Sequence, residues 1–150
     1  MGKHNYKHFA IMIAVSFIIM YGVLFLNVNS IDHIYLSTTR LYMSLLMICP
    51  MALLMINTMT GMYKNKRLNM VISVSAMVVF ITAFLFLRNQ TLISDKQYMK
   101  AMIPHHSSAI LTSENANIKD PEVRKLADEI IESQKREIEV MKQILKRMEK

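Results

Sequence analysis

Three uncharged apolar stretches take up most of the first 88 residues: 9–26, 41–59 and 68–87, of 18, 19 and 20 residues. A bilayer core offers no water to satisfy backbone N–H and C=O groups, so a crossing segment folds as a helix, and about 20 apolar residues reach across. The pattern predicts an all-α chain: a membrane domain of three transmembrane helices over residues 1–88, then a water-facing domain over 89–150. The first stretch exceeds the apolar segment of a secretory signal peptide. Leu26-Asn27-Val28-Asn29-Ser30 also lacks a small-x-small cleavage pattern. We therefore read it as an uncleaved span.

Charge separates the two halves. Residues 1–88 hold seven Lys or Arg and a single acid, Asp32, whereas residues 89–150 hold eleven Lys or Arg against ten Asp or Glu. The net charge of +7 thus gathers at the ends of apolar segments. The water-facing part is close to neutral, which argues against a nucleic-acid partner. Basic residues in short loops mark the cytoplasmic side. Lys3, Lys7, Lys64, Lys66 and Arg67 fall in the N-terminus and second loop, while the first loop offers Arg40 beside Asp32. The expected location is a cell membrane, crossed three times, with the N-terminus cytoplasmic and residues 89–150 extracytoplasmic. The lone Cys49 allows neither an intrachain disulfide nor a paired-cysteine zinc site.

The water-facing part reads as a helical hairpin. Ser94-Asp95-Lys96-Gln97 has the form of a capping box and opens a helix over about 95–116. Asn117-Ile118-Lys119 connects it to Asp120-Pro121, an N-cap followed by proline at the first helical position, which opens a second helix over about 121–149. Pro104 should kink the first helix just before His105-His106. Steps of four and three along the second helix trace a seam of Val123, Ala127, Ile130, Gln134, Glu137, Met141, Ile144 and Met148, apolar except for Gln134 and Glu137. A carboxylate on a buried seam needs a partner or a metal.

Folding the hairpin about residues 118–119 sets Met99 level with Ile138 and Met102 with Lys135. Gln134, Glu137 and Met141 then approach a face bearing Met99, Met102 and His106, with His105 at its border. Thioethers alone read as core filler, and a His pair alone as surface. Together they suit copper, because sulfur selects Cu(I) and imidazole accepts Cu(I) or Cu(II). The candidate metal ligands are Met99, Met102, His105, His106, Glu137 and Met141, with Gln134 behind them.

The same residues carry a resemblance. Met102-Ile103-Pro104-His105-His106, Ala109-Ile110, Asp120-Pro121-Glu122, Leu126-Ala127, Ile130-Ile131, Gln134, Glu137-Ile138 and Met141 are similar to the CopM-like family over residues 94–149. That family is catalogued as a domain of unknown function. Its better-studied members are secreted or periplasmic copper-binding helical proteins with a ferritin-like bundle. The resemblance implies copper binding through Met99, Met102, His105, His106 and Met141, with Glu137 and Gln134 as ligands or their supports, and a role in copper tolerance. Ser107 and Thr112 stand where the family often has Gln and Met.

Other features are read more plainly. Met43, Met47, Met51, Met55 and Met59 recur along the second stretch around Cys49-Pro50, and are read as a packing or lipid-facing surface. If Met1 were removed, Gly2-Lys3-His4 would chelate Cu(II), but a reducing cytoplasm argues against it, and His4 and His8 read equally as interface residues. There is no Glu-x-x-His pair of the di-iron bundles and no nucleophile–base constellation, so no enzyme is expected.

The function that follows is a membrane-anchored copper-binding protein, for tolerance or for handover to a copper-handling partner at the outer face. The alternative is an accessory membrane protein whose hairpin docks a partner without metal. The second helix shows two adjoining apolar stripes, the seam above and Leu126, Ile130, Ile138, Met141 and Leu145 beside it; one can pack on the first helix and the other needs a partner, so a homodimer forming a four-helix bundle is expected.

Overall fold

The computed structural model describes residues 2–149, with the side chains of Gly2 and Lys3 outside the description. Met1, and with it any chelate built on the chain's first residues, lies outside the described residues. Five α-helices follow in order: α1 (Gly2–Val23), α2 (Thr38–Thr58), α3 (Lys66–Asn89), α4 (Asp95–Asn115) and α5 (Pro121–Met148), with a short 3-10 turn, Ile31–His33, between α1 and α2. No strand occurs among the described residues. The all-α expectation holds, and α1, α2 and α3 are each long and apolar enough to cross a membrane. The first helix is displaced from the apolar stretch that predicts it: it begins at Gly2 and ends at Val23, before Leu26.

The chain forms two compact units: residues 1–24 with 39–92, and residues 25–38 with 93–150. In the first, Phe9, Ala52, Ile56 and Tyr63 form a core that Tyr6, Ile13, Met55 and Ile72 pack against. Tyr6 Oη donates to Asn69 Oδ1 at 2.6 Å, tying α1 to α3. Asn65 caps α3 by accepting from the Leu68 N–H. Most of the remaining apolar surface is exposed, including Ile18, Met70, Val71 and Val74. That suits helices facing lipid rather than water. The methionine series of α2 and the residue after it divides, with Met43, Met47 and Met59 exposed and Met55 against the core.

The second unit is the hairpin together with the segment between α1 and α2. Its core is Met99, Ile103, Ile110, Ile138 and Leu145, with Ile131, Met141, Ile144 and Met148 packed around it. Each fully buried Ile or Leu contributes about 1.5–3 kcal/mol. Both caps form where the sequence puts them. Ser94 accepts from the Gln97 N–H, and Asp120 Oδ1 accepts from Glu122 and Val123 N–H. The capping box is only half made, because Gln97 Oε1 accepts from the Thr38 N–H at 2.9 Å instead of turning back.

The buried face of α5 also departs from the seam read by stepping from Val123. Of that seam Ala127 is buried and Val123 exposed, while the other buried residues, Ile138 and Leu145, come from the adjoining stripe, whose Leu126 is exposed. The pairing of the helices is slid along from the symmetric one. His106 meets Glu137, and Lys135, expected beside Met102, forms an ion pair with Glu114 at 2.9 Å.

The segment 25–38 straps onto the hairpin. Ser107 Oγ, fully buried, accepts from the Asn29 N–H at 2.7 Å and lies 2.9 Å from His33 Nδ1. Asn27 donates to Ser108. Asp32 pairs with Lys142 and with the Ser30 hydroxyl. The Lys142 and Ser30 hydrogen bonds hold the Asp32 carboxyl down at about 2. Burial pushes the His33 imidazole below its ordinary value, aided by the charge of Lys142.

Candidate metal centre

One polar contact between α4 and α5 is a histidine–carboxylate pair. His106 Nε2 lies 2.7 Å from Glu137 Oε2. An ionised carboxylate only accepts, so Nε2 carries a proton, and in the neutral ring Nδ1 then keeps its lone pair. His106 is buried, and its Nδ1 has no hydrogen-bond partner. Buried polar atoms are nearly always satisfied, so an orphaned imidazole nitrogen calls for an explanation. Metal-bound histidines have this arrangement: one nitrogen donates to a carboxylate, which fixes the ring, and the other faces the ion.

Glu137 is itself held from its second oxygen, where Ser133 Oγ donates to Oε1 at 2.8 Å. The Ser133 hydrogen bond and then the His106 one lower the Glu137 carboxyl from its ordinary value. The carboxylate is half exposed, so this is a tethered surface anion rather than a buried charge.

Beside the pair is a cavity of about 330 Å³ lined by Tyr98, Met102, His106, Arg136, Glu137, Val140 and Met141. The structure thus brings together four of the sequence candidates: Met102, His106, Glu137 and Met141. Met99 is buried in the hairpin core beside Ile103 and Leu145 and does not line this cavity. His105 is exposed, its ring centroid 6.0 Å from that of His106. Gln134 is half-buried and outside the lining. Pro104 lies within α4, which continues through it to Asn115.

The donor set is unusual. No group of three or more His, Cys, Asp or Glu side chains converges among the described residues. What stands together is one imidazole and two thioethers, backed by a carboxylate. Zinc and iron sites draw on imidazole, carboxylate and thiolate, while thioether sulfur is a soft donor that selects Cu(I). The residues present therefore fit a soft monovalent ion better than a hard divalent one.

Sequence reasoning missed the strap. Ser107, His33 and Asp32 follow one another in space, with His33 Nε2 3.8 Å from Asp32. The order suggests a nucleophile and base, but Ser107 is fully buried and its oxygen already serves two partners from the strap. The trio fastens segment 25–38 to α4 next to His106.

Known proteins bear on this chain at two levels. A family model described as Domain of unknown function (DUF305) matches residues 55–145. The match begins within α2 and takes in α3, so it reaches well upstream of the hairpin. "Uncharacterized protein L153" of Acanthamoeba polyphaga mimivirus is 35% identical over 144 residues, spanning 94% of this chain and 93% of the relative. The likeness therefore includes the apolar helices as well as the hairpin. No solved structure matches.

Proposed function

The chain belongs to the family of the domain of unknown function DUF305, and from the site it builds there we propose that it is a membrane-anchored copper-binding protein. It holds Cu(I) in the hairpin, for copper tolerance or for handover to a copper-handling partner. The observation that carries the reading is His106: buried, with Nε2 given to Glu137 and Nδ1 unpartnered, beside a cavity shared by Met102 and Met141. In this reading the His106 nitrogen and the two thioethers hold the ion. Glu137 fixes the imidazole and supplies a negative charge near the cation. Partly exposed ligands suit an ion that must be released again.

The reading places three spans in the bilayer and the hairpin on the extracytoplasmic side, because the basic residues cluster in the N-terminus and second loop. It also takes the functional unit to be a homodimer. Tyr98, Val123, Leu126 and Val140 are exposed on the hairpin. A second hairpin packed on them completes a four-helix bundle.

The test is titration of the detergent-extracted protein with Cu(I) against a chromophoric chelator. The expected result is one Cu(I) per chain, lost in His106→Ala. A folded protein that takes up no Cu(I) would favour the accessory reading, in which the hairpin docks a partner without metal.

A further inference from the structure

The first turns of α1 carry a second pair of imidazoles, separate from the hairpin. His4 and His8 are four residues apart on one helix, a spacing that sets two side chains side by side on the same face. Their ring centroids are 4.2 Å apart, with the planes inclined at 71°. His8 Nδ1 lies 2.9 Å from the His4 backbone oxygen. A carbonyl can only accept, so Nδ1 of His8 carries a proton. In the neutral ring the lone pair is then on Nε2. A backbone carbonyl on one ring nitrogen is among the usual partners that fix a metal-bound histidine and select its tautomer.

Packing does not account for the pair. Both residues are exposed, and neither belongs to the nearby core of Phe9, Ala52, Ile56 and Tyr63. The adjoining Tyr6 is engaged with Asn69, and Asn5 donates to the Met62 carbonyl at 2.9 Å. The face that carries His4 and His8 is therefore held in register by neighbours that make their own contacts, and both imidazoles are exposed.

Two histidines at i and i+4 on one helical face form the helical half of zinc sites of the His-Glu-x-x-His type. Here no acid lies between them, and the only acid in the first 88 residues is Asp32. Two neutral nitrogens without sulfur suit a borderline divalent ion and leave its remaining positions to water.

We infer that His4 and His8 form a second metal site, for a divalent cation of the zinc class, on the first turns of α1. It is independent of the hairpin site in residues, donor chemistry and preferred ion.

The experiment is Zn²⁺ titration of the detergent-extracted full chain against a chromophoric zinc indicator. The parent, His4→Gln, His8→Ala and His106→Ala are compared. The expected result is one zinc equivalent in the parent and in His106→Ala, and at least a tenfold loss of affinity in both α1 variants. Helix content by circular dichroism should match the parent in both α1 variants, since the side chains of His4 and His8 are exposed. The proposal is overturned if the parent binds no zinc, or if His8→Ala and His4→Gln bind it as the parent does. It is equally overturned if zinc is lost only in His106→Ala. Cu(I) uptake at the hairpin is read separately, so failure of one site leaves the other standing.

Discussion

His106 on α4 and Glu137 on α5 are joined at 2.7 Å, and the bond leaves the other nitrogen of a buried imidazole without a partner. Everything proposed for the hairpin turns on that nitrogen. An apolar residue at position 106 would pack the same interface without the cost of a buried polar atom. Retaining histidine there makes sense when something occupies Nδ1.

The carboxylate should matter through the imidazole. Glu137→Gln keeps the shape of the side chain but removes its charge and leaves an amide that can present either a donor or an acceptor to His106. Cu(I) affinity should fall about 10- to 100-fold, the usual effect of altering a residue that orients a metal ligand. Helix content should not change. Equal affinity in variant and parent would mean that Glu137 has no part in holding the ion.

The thioethers can be removed without emptying the cavity. Met102→Leu with Met141→Leu conserves volume, and such exchanges usually cost less than about 1.5 kcal/mol each. Thermal stability should stay near that of the parent while Cu(I) binding is lost. If binding survives, the soft donors lie elsewhere. Met99→Leu serves as the contrast, because Met99 sits in the core and should leave binding intact.

Much of this hairpin is legible in the sequence, and the parts that are not share one cause. Ser94 and Asp120 act as caps because capping uses residues within three positions of one another. His105 and His106 could not be told apart beforehand. Neighbours on a helix point about 100° apart, so only one of them faces α5, and the choice depends on how the helices are rotated. The slide that pairs Lys135 with Glu114 rather than setting it beside Met102 is likewise a property of the packed pair. Gln97 gives its side chain to Thr38, 59 positions away. The strap that carries Asp32 and His33 reads as a plain loop, since its partners Ser107 and Lys142 are far along the chain.

The strap predicts an acid-sensitive step. Asp32 has a folded-state value of about 2 against an ordinary value of 3.8. A depressed carboxyl contributes stability above its unfolded value, and the contribution disappears as pH falls from about 4 to about 2. Asp32 is exposed and Lys142 half-buried, so solvent screens the pair and its contribution is about 1 kcal/mol or less. Asp32→Asn should melt slightly below the parent at pH 6 and together with it near pH 2. A gap that persists at pH 2 would show that the charge is not the cause.

The proposed membrane orientation is open to a direct check. Fusion of a reporter to the C-terminal end should give activity for a reporter that works only outside the cytoplasm, and none for a cytoplasm-dependent one. The reverse pattern would put the hairpin on the basic-loop side and remove the basis for handover at the outer face.

The central claim is that one buried imidazole and two thioethers hold a single Cu(I). It is tested most directly by the Cu(I) stoichiometry of the extracted full chain, measured in parallel for the parent and His106→Gln. The account predicts one ion per chain in the parent and at least a tenfold weaker site in the variant, with helix content unchanged. Equal uptake by the two proteins, or none by a folded parent, would contradict it.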